Sequence, residues 1–139
     1  PDENVQVYSS ERTLSHFARF ARIFAALSPY RKVLIDEAAR AGHPVVRPMF
    51  FHYPEEKSFQ HIDSEQFMLG PDVIMAPVLD PGRSHVRVHL PQGNWVHFFT
   101  GKLYRSQSQT FSLSAPVGTP AVFYKENSPF ADLFARIKD

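Results

Sequence analysis

The sequence contains no cysteine, which excludes disulfides and thiolate chemistry and leaves the redox compartment unread. No apolar run approaches the roughly eighteen residues that cross a bilayer. The opening PDENVQVYSS has neither the basic start nor the apolar centre of a secretory signal, so a folded, soluble, cytoplasmic protein is expected. Charge of one sign is missing too: 15 basic residues face 14 acidic ones, so no broad field selects nucleic acid or an anionic membrane as partner. No serine stands in a G-x-S-x-G context and no glycine loop is built to cradle phosphate, so nucleophilic serine and nucleotide chemistry fall away. Repeats and low-complexity segments are absent. The chain opens on Pro1 without a methionine, in what reads as the middle of a loop, and is expected to be a piece of something longer.

What is present is a chain of 139 residues, 43% hydrophobic, with thirteen phenylalanines, enough to bury one large shared interior. From Ser10, a plausible cap, the apolar residues Leu14, Phe17, Ala18, Ala21, Phe24 and Ala25 recur at helical spacing and predict a packing face. Phe20, Ile23 and Leu27 add a second stripe, as on a helix wedged between a large body and another layer. Ser28-Pro29 fits the cap and first position of a second helix, carrying Tyr30, Val33, Leu34, Ala38 and Ala41 and stopping at Gly42.

After Pro44 the period changes. DVIMAPV (72–78), SHVRVHLP (84–91), NWVHFFTG (94–101), QTFSLSA (109–115) and TPAVFYK (119–125) have the spacing of an antiparallel sandwich or barrel. In SHVRVHL the alternation sends Val86, Val88 and Leu90 one way and His85, Arg87 and His89 the other, toward water. DPGR (80–83), PQGN (91–94) and FTGK (99–102) have turn chemistry. Ser128-Pro129 opens a closing helix with Phe130, Leu133, Phe134 and Ile137 on one side.

Candidate chemistry is thin. His85 and His89 lie about 13 Å apart along a strand, too far to share an ion, and read as surface residues. His43, His52 and His61 read as hydrogen-bonded loop residues. Glu55, Glu56, Asp63 and Glu65 offer carboxylates, and glycoside hydrolysis needs two, but all four lie in a polar connector where solvated charge is the default. Trp95 is the one tryptophan that could stack on a sugar; following a turn and preceding VHFF, its ordinary role is to anchor a hairpin.

The order of GHPVVRPMFFHYP (42–54) and QFMLGPDVIMAPVLDPGRSHVRVHLPQGNWVHFFTGK (66–102) resembles the C-terminal portion of family 31 glycoside hydrolases, the α-glucosidase and α-xylosidase family. The matching positions are Arg47-Pro48-Met49-Phe50, Gly70 through Val78, and Val88 through Gly101. Within the family, the opening PDENVQVYSSERTLSHFARF and closing GTPAVFYKENSPFADLFARI look most like the bacterial sulfoquinovosidases.

The resemblance implies a retaining α-glycosidase built on a (β/α)8 barrel with a β-sandwich behind it. The chain would be an α+β fragment. Residues 1–43 would be the last helical segment of the barrel, 44–70 the crossing, and 71–139 the sandwich with its closing helix. Arg47, between prolines in an apolar run, would tie down loop carbonyls or a carboxylate. The two catalytic aspartates that such chemistry needs, and the groups that read a sulfonate, would lie upstream. No catalytic, substrate-binding or metal-binding residue is assigned here, and no cofactor is expected. The implied partners are the rest of the barrel and an α-glycoside such as sulfoquinovosyl glycerol, with homo-oligomers allowed. The alternative within the family is an α-glucosidase or α-xylosidase, differing in upstream pocket residues. The competing reading from another class is an independent carbohydrate-binding or interaction sandwich, stable by itself, whereas a fragment should expose the Phe17/Phe24 face.

Overall fold

The computed structural model describes residues 6–60 and 65–137. Two helices come first, α1 (Glu11–Ala26) and α2 (Ser28–Ala41). Ser10 caps α1 as the sequence predicts: its backbone is extended and its Oγ accepts the Thr13 N–H at 3.1 Å. Ser10→Ala is therefore expected to cost about 1 kcal/mol. A thermal midpoint lowered by many degrees would assign Ser10 some further role.

The second helix starts one residue earlier than expected. Ser28 is already helical, and Leu27 forms the junction, with its N–H on the Ile23 carbonyl and its carbonyl accepting from Arg31 N–H. Pro29 falls in the first turn, where its missing N–H would have no partner in any case. The end is where the sequence puts it, at Gly42, in the left-handed region at φ 72°.

The remaining elements are β1 (Val46–Arg47), a 3-10 turn at Met49–Phe51, α3 (Lys57–Gln60), β2 (Phe67–Leu69), β3 (Val73–Ala76), β4 (His85–Leu90), β5 (Gly93–His97), β6 (Leu103–Ser106), β7 (Gln109–Ser114), β8 (Ala121–Lys125) and α4 (Ala131–Arg136). Every strand pair is antiparallel. Six strands form one sheet in the order β1-β2-β3-β8-β5-β6, and β4 with β7 forms a separate ribbon. All five expected strand segments exist. The NWVHFFTG strand is shorter than expected, because Phe98–Thr100 turn the chain into β6. Strands β1, β2 and β6, of two to four residues, are too short for alternation to betray them.

The large sheet is the middle layer. One face carries Met68, Ile74, Ala76, Trp95, Ala121 and Phe123, packed with Val88 and Leu90 of the ribbon and with Met49 and Phe59 of the crossing. The other carries Val73, Phe98 and Tyr124 against Ile23, Leu27, Tyr30, Leu34, Phe134 and Ile137 of the helices. The β4 alternation holds, with Val88 and Leu90 buried and His85 and Arg87 exposed.

On α1 the stripes exchange roles. The sheet is packed by Phe20, Ile23 and Leu27, whereas the stripe expected to be the packing face is open: Phe17 is 56% exposed, Phe24 62% and Leu14 50%. Among the described residues the Arg31 guanidinium stacks on the Phe24 ring at 3.5 Å, but Leu14, Phe17 and Phe24 join neither core.

Candidate functional site

Polar chemistry gathers in three clusters, each fixed by a different crossing of the chain. The first ties α2 to the crossing. Arg47 is 1% exposed and donates three hydrogen bonds, from Nε to the Pro44 carbonyl (2.6 Å), from Nη2 to Glu37 Oε2 (2.6 Å) and from Nη1 to His52 Nε2 (3.0 Å). Glu37 is held on its other oxygen by His43 Nδ1 at 2.8 Å. The hydrogen bonds from His43 and from Arg47 hold the Glu37 carboxyl below its usual range. Burial, with Arg47 second, pushes the His52 pKa down, and the Arg47 bond fixes the tautomer that keeps its proton on Nδ1. Arg47 thus satisfies a carbonyl and a carboxylate, as its place between two prolines predicts. Glu37 was not singled out in the sequence, because on α2 it stands among ordinary surface charges.

The second cluster sits where the ribbon meets the connector. His89 Nε2 donates to Glu56 Oε1 at 3.0 Å, its Nδ1 lies 3.0 Å from Thr110 Oγ1, and Phe59 packs edge-on against the ring. Gln66 pairs with the His89 backbone in both directions. Two expectations are corrected here: His89 is half-buried in a network rather than a plain surface residue, and Glu56 is its partner rather than solvated connector charge. The cause is that α3 folds the connector back over the ribbon. His85, by contrast, is exposed.

The third cluster holds α2, the β2–β3 turn and the start of the closing turn together. Tyr30 OH donates to the Leu69 carbonyl (2.8 Å) and accepts from Asp72 N–H (3.2 Å), while Ser128 donates to Asp72 Oδ2 (2.9 Å). Burial drives the Tyr30 hydroxyl pKa above its ordinary range.

Of the remaining candidates, Glu55 and Glu65 are exposed. His61 and Asp63 lie outside the described residues. Trp95 is 1% exposed and donates from Nε1 to the Pro91 carbonyl at 3.0 Å. It anchors the hairpin, and its face is not offered to a sugar. Among the described residues no group of three His, Asp or Glu side chains could hold a metal ion. Glu37, Glu56 and Asp72 are each neutralised or bonded by a separate partner, the arrangement of structural ties.

A pH dependence follows from the buried imidazoles. His97 is buried, accepts the Thr100 N–H on Nδ1, and has its pKa lowered by burial, as does His52. The unfolded chain binds these protons more readily, so the stability that the neutral rings confer is present above about pH 6.5 and is lost as pH falls below it. Glu37 acts in the same sense at lower pH, because its folded carboxyl resists protonation. The thermal midpoint is expected to drop between pH 8 and pH 5, and His97→Asn should flatten the upper part of that drop. An unchanged profile in the variant would count against the assignment.

Residues 42–128 match the model of the glycosyl hydrolase family 31 C-terminal domain. The chain is 41% identical over 138 residues to a sulfoquinovosidase of Escherichia coli K12, covering 99% of the chain and 20% of that protein. It is 37% identical over 139 residues to a sulfoquinovosidase of Agrobacterium fabrum, covering 99% and 21%. The fold superposes with a TM-score of 0.92 and 38% identity on a family 31 sulfoquinovosidase from E. rectale solved with an aza-sugar inhibitor, covering 99% of this chain and 20% of that one. The chain therefore spans about a fifth of the length of these relatives. With the family model matching residues 42–128, more than half of the chain, the chain belongs to glycoside hydrolase family 31.

Proposed function

We propose that the complete protein is a retaining α-glycosidase that hydrolyses α-sulfoquinovosides, and that this chain is its non-catalytic C-terminal part. The observation that carries the reading is likeness along the whole chain, helices included, to sulfoquinovosidases from two different bacteria. Residues 1–43 are then the last helical segment of a (β/α)8 barrel, 44–70 the crossing, which lends β1 and β2 to the sheet, and 71–139 the sandwich with its closing helix. The aspartate nucleophile and the acid/base would stand about 5 Å apart on upstream barrel strands. The role of this chain is mechanical. A retaining mechanism needs its two carboxyls held to a fraction of an ångström, and the buried Arg47 and Tyr30 ties fix helix α2 to the sheet.

The test is an assay of the complete enzyme on a sulfonated α-glycoside, such as sulfoquinovosyl glycerol, against its neutral α-glucoside and α-xyloside counterparts. A strong preference for the sulfonated substrate, with retention at the anomeric carbon, is the expected result. Preference for a neutral glycoside would move the protein to another activity of the same family.

A further inference from the structure

A cleft of about 470 Å³ opens where the turn into β5 meets the turn after β8, within the roughly 300 to 1,000 Å³ of small-molecule sites. Gln92 and Asn94 line it from the first turn, Glu126 and Asn127 from the second, and Tyr53 and Lys125 from the crossing and from β8. We propose that this cleft is a saccharide-binding site that takes a pyranoside carrying one carboxylate or sulfonate. The assignment goes beyond the glycosidase activity and is independent of which glycoside the complete enzyme cleaves.

The anionic group is selected by Lys125. Its ammonium lies 5.7 Å from the centroid of the Tyr53 ring and 5.9 Å from that of Trp95, where two π faces hold a cation. The side chain is half-buried, yet among the described residues its three N–H donors meet no hydrogen-bond acceptor and no carboxylate. The Tyr53 hydroxyl, also on a half-buried residue, is likewise unbonded among them. An oxyanion entering the cleft gains charge-assisted hydrogen bonds there without breaking any that the fold already makes.

The rest of the ligand is selected by the amides and the acid. Gln92 and Asn127 are exposed, each offering donors and an acceptor, and Glu126 is an acceptor only. One cation beside one acceptor-only carboxylate calls for a single negative group together with O–H donors, which is the make-up of a sugar acid. A phosphate dianion brings more charge and no alcohol, and Glu126 repels it. The two turns are fixed before any ligand arrives: Asn94 Nδ2 donates to Glu126 Oε2 at 2.7 Å, Glu126 N–H donates to the Asn94 carbonyl at 3.0 Å, and Trp95 pairs with Lys125 in the sheet. A site organised in this way spends little binding energy on ordering itself.

The test reads the cleft itself. The complete enzyme is labelled with meta-fluorotyrosine, and the Tyr53 fluorine resonance is assigned as the one lost in Tyr53→Phe, a change that removes a hydroxyl the fold does not bond. It is then titrated with methyl α-glucuronide, with a β-linked sulfonated glucoside, with neutral methyl α-glucoside and with inorganic phosphate. The expected result is a saturable shift of the Tyr53 resonance with an anionic glycoside, the tighter of the two naming the preferred group, and binding at least about tenfold weaker for the neutral sugar. Asn127→Asp, at an exposed position, should weaken the anionic glycoside by about tenfold or more while leaving the thermal midpoint unchanged. No saturable shift, an equal response to the neutral glucoside or to phosphate, or indifference to Asn127→Asp would each overturn the proposal. Failure of the sulfoquinovosidase reading appears separately, in the substrate assay, and leaves this titration untouched.

Discussion

Gly70→Ala is expected to destabilise the domain by roughly 2 to 5 kcal/mol, the sum of a backbone cost and an overpacking cost. Gly70 has φ 58°, a left-handed conformation in which a Cβ is strained by about 1 to 2 kcal/mol. The added methyl would lie 2.4 Å from Leu34 Cδ2 and 2.5 Å from Tyr30 OH. Neither neighbour can yield. Leu34 is buried in the helix-facing core, and the Tyr30 hydroxyl is held between the Leu69 carbonyl and the Asp72 N–H. Displacing it breaks both hydrogen bonds and loosens α2 from the β2–β3 turn. The measurement is the apparent thermal midpoint of the complete enzyme, expected to fall by several degrees. A fall of only a degree or two would show that α2 is not seated on the β2–β3 turn as described.

Arg47→Met is expected to cost about 3 kcal/mol, near the lower end for breaking a buried ion pair because Glu37 keeps a third of its side chain in water. Methionine fills much of the volume but leaves the Pro44 carbonyl without its donor, and His52 and Glu37 each lose one partner. The pair-specific part can be isolated: Glu37→Gln, Arg47→Met and the double variant form a cycle whose coupling energy should be at least about 1 kcal/mol. Activity carries a second readout. Because the cluster is a structural tie, the stability of the enzyme should drop while the pH profile of turnover keeps its shape. A shifted profile would place Arg47 in electrical contact with the reacting groups and contradict the reading.

Much of the architecture is legible from local patterns. Ser10 and Gly42 mark helix ends because capping and left-handed closure are decided within a few residues. The alternation of Val86, Val88 and Leu90 defines the inner face of β4 for the same reason, since side chains on a strand must take turns. The wording of the crossing and of the β3 to β5 region is specific enough to indicate the family, and Arg47 between its prolines announces a buried tie.

What periodicity alone could not decide is which of two apolar stripes on α1 meets the sheet. A helix with apolar residues on most of its circumference has no unique inside until another layer is present, and Phe20, Ile23 and Leu27 win that position only through the tertiary arrangement. The same holds for Glu37 with Arg47, Glu56 with His89, and Asp72 with Ser128, ten, thirty-three and fifty-six residues apart. Pairings at such separations depend on how the chain returns on itself, which spacing along the sequence does not record.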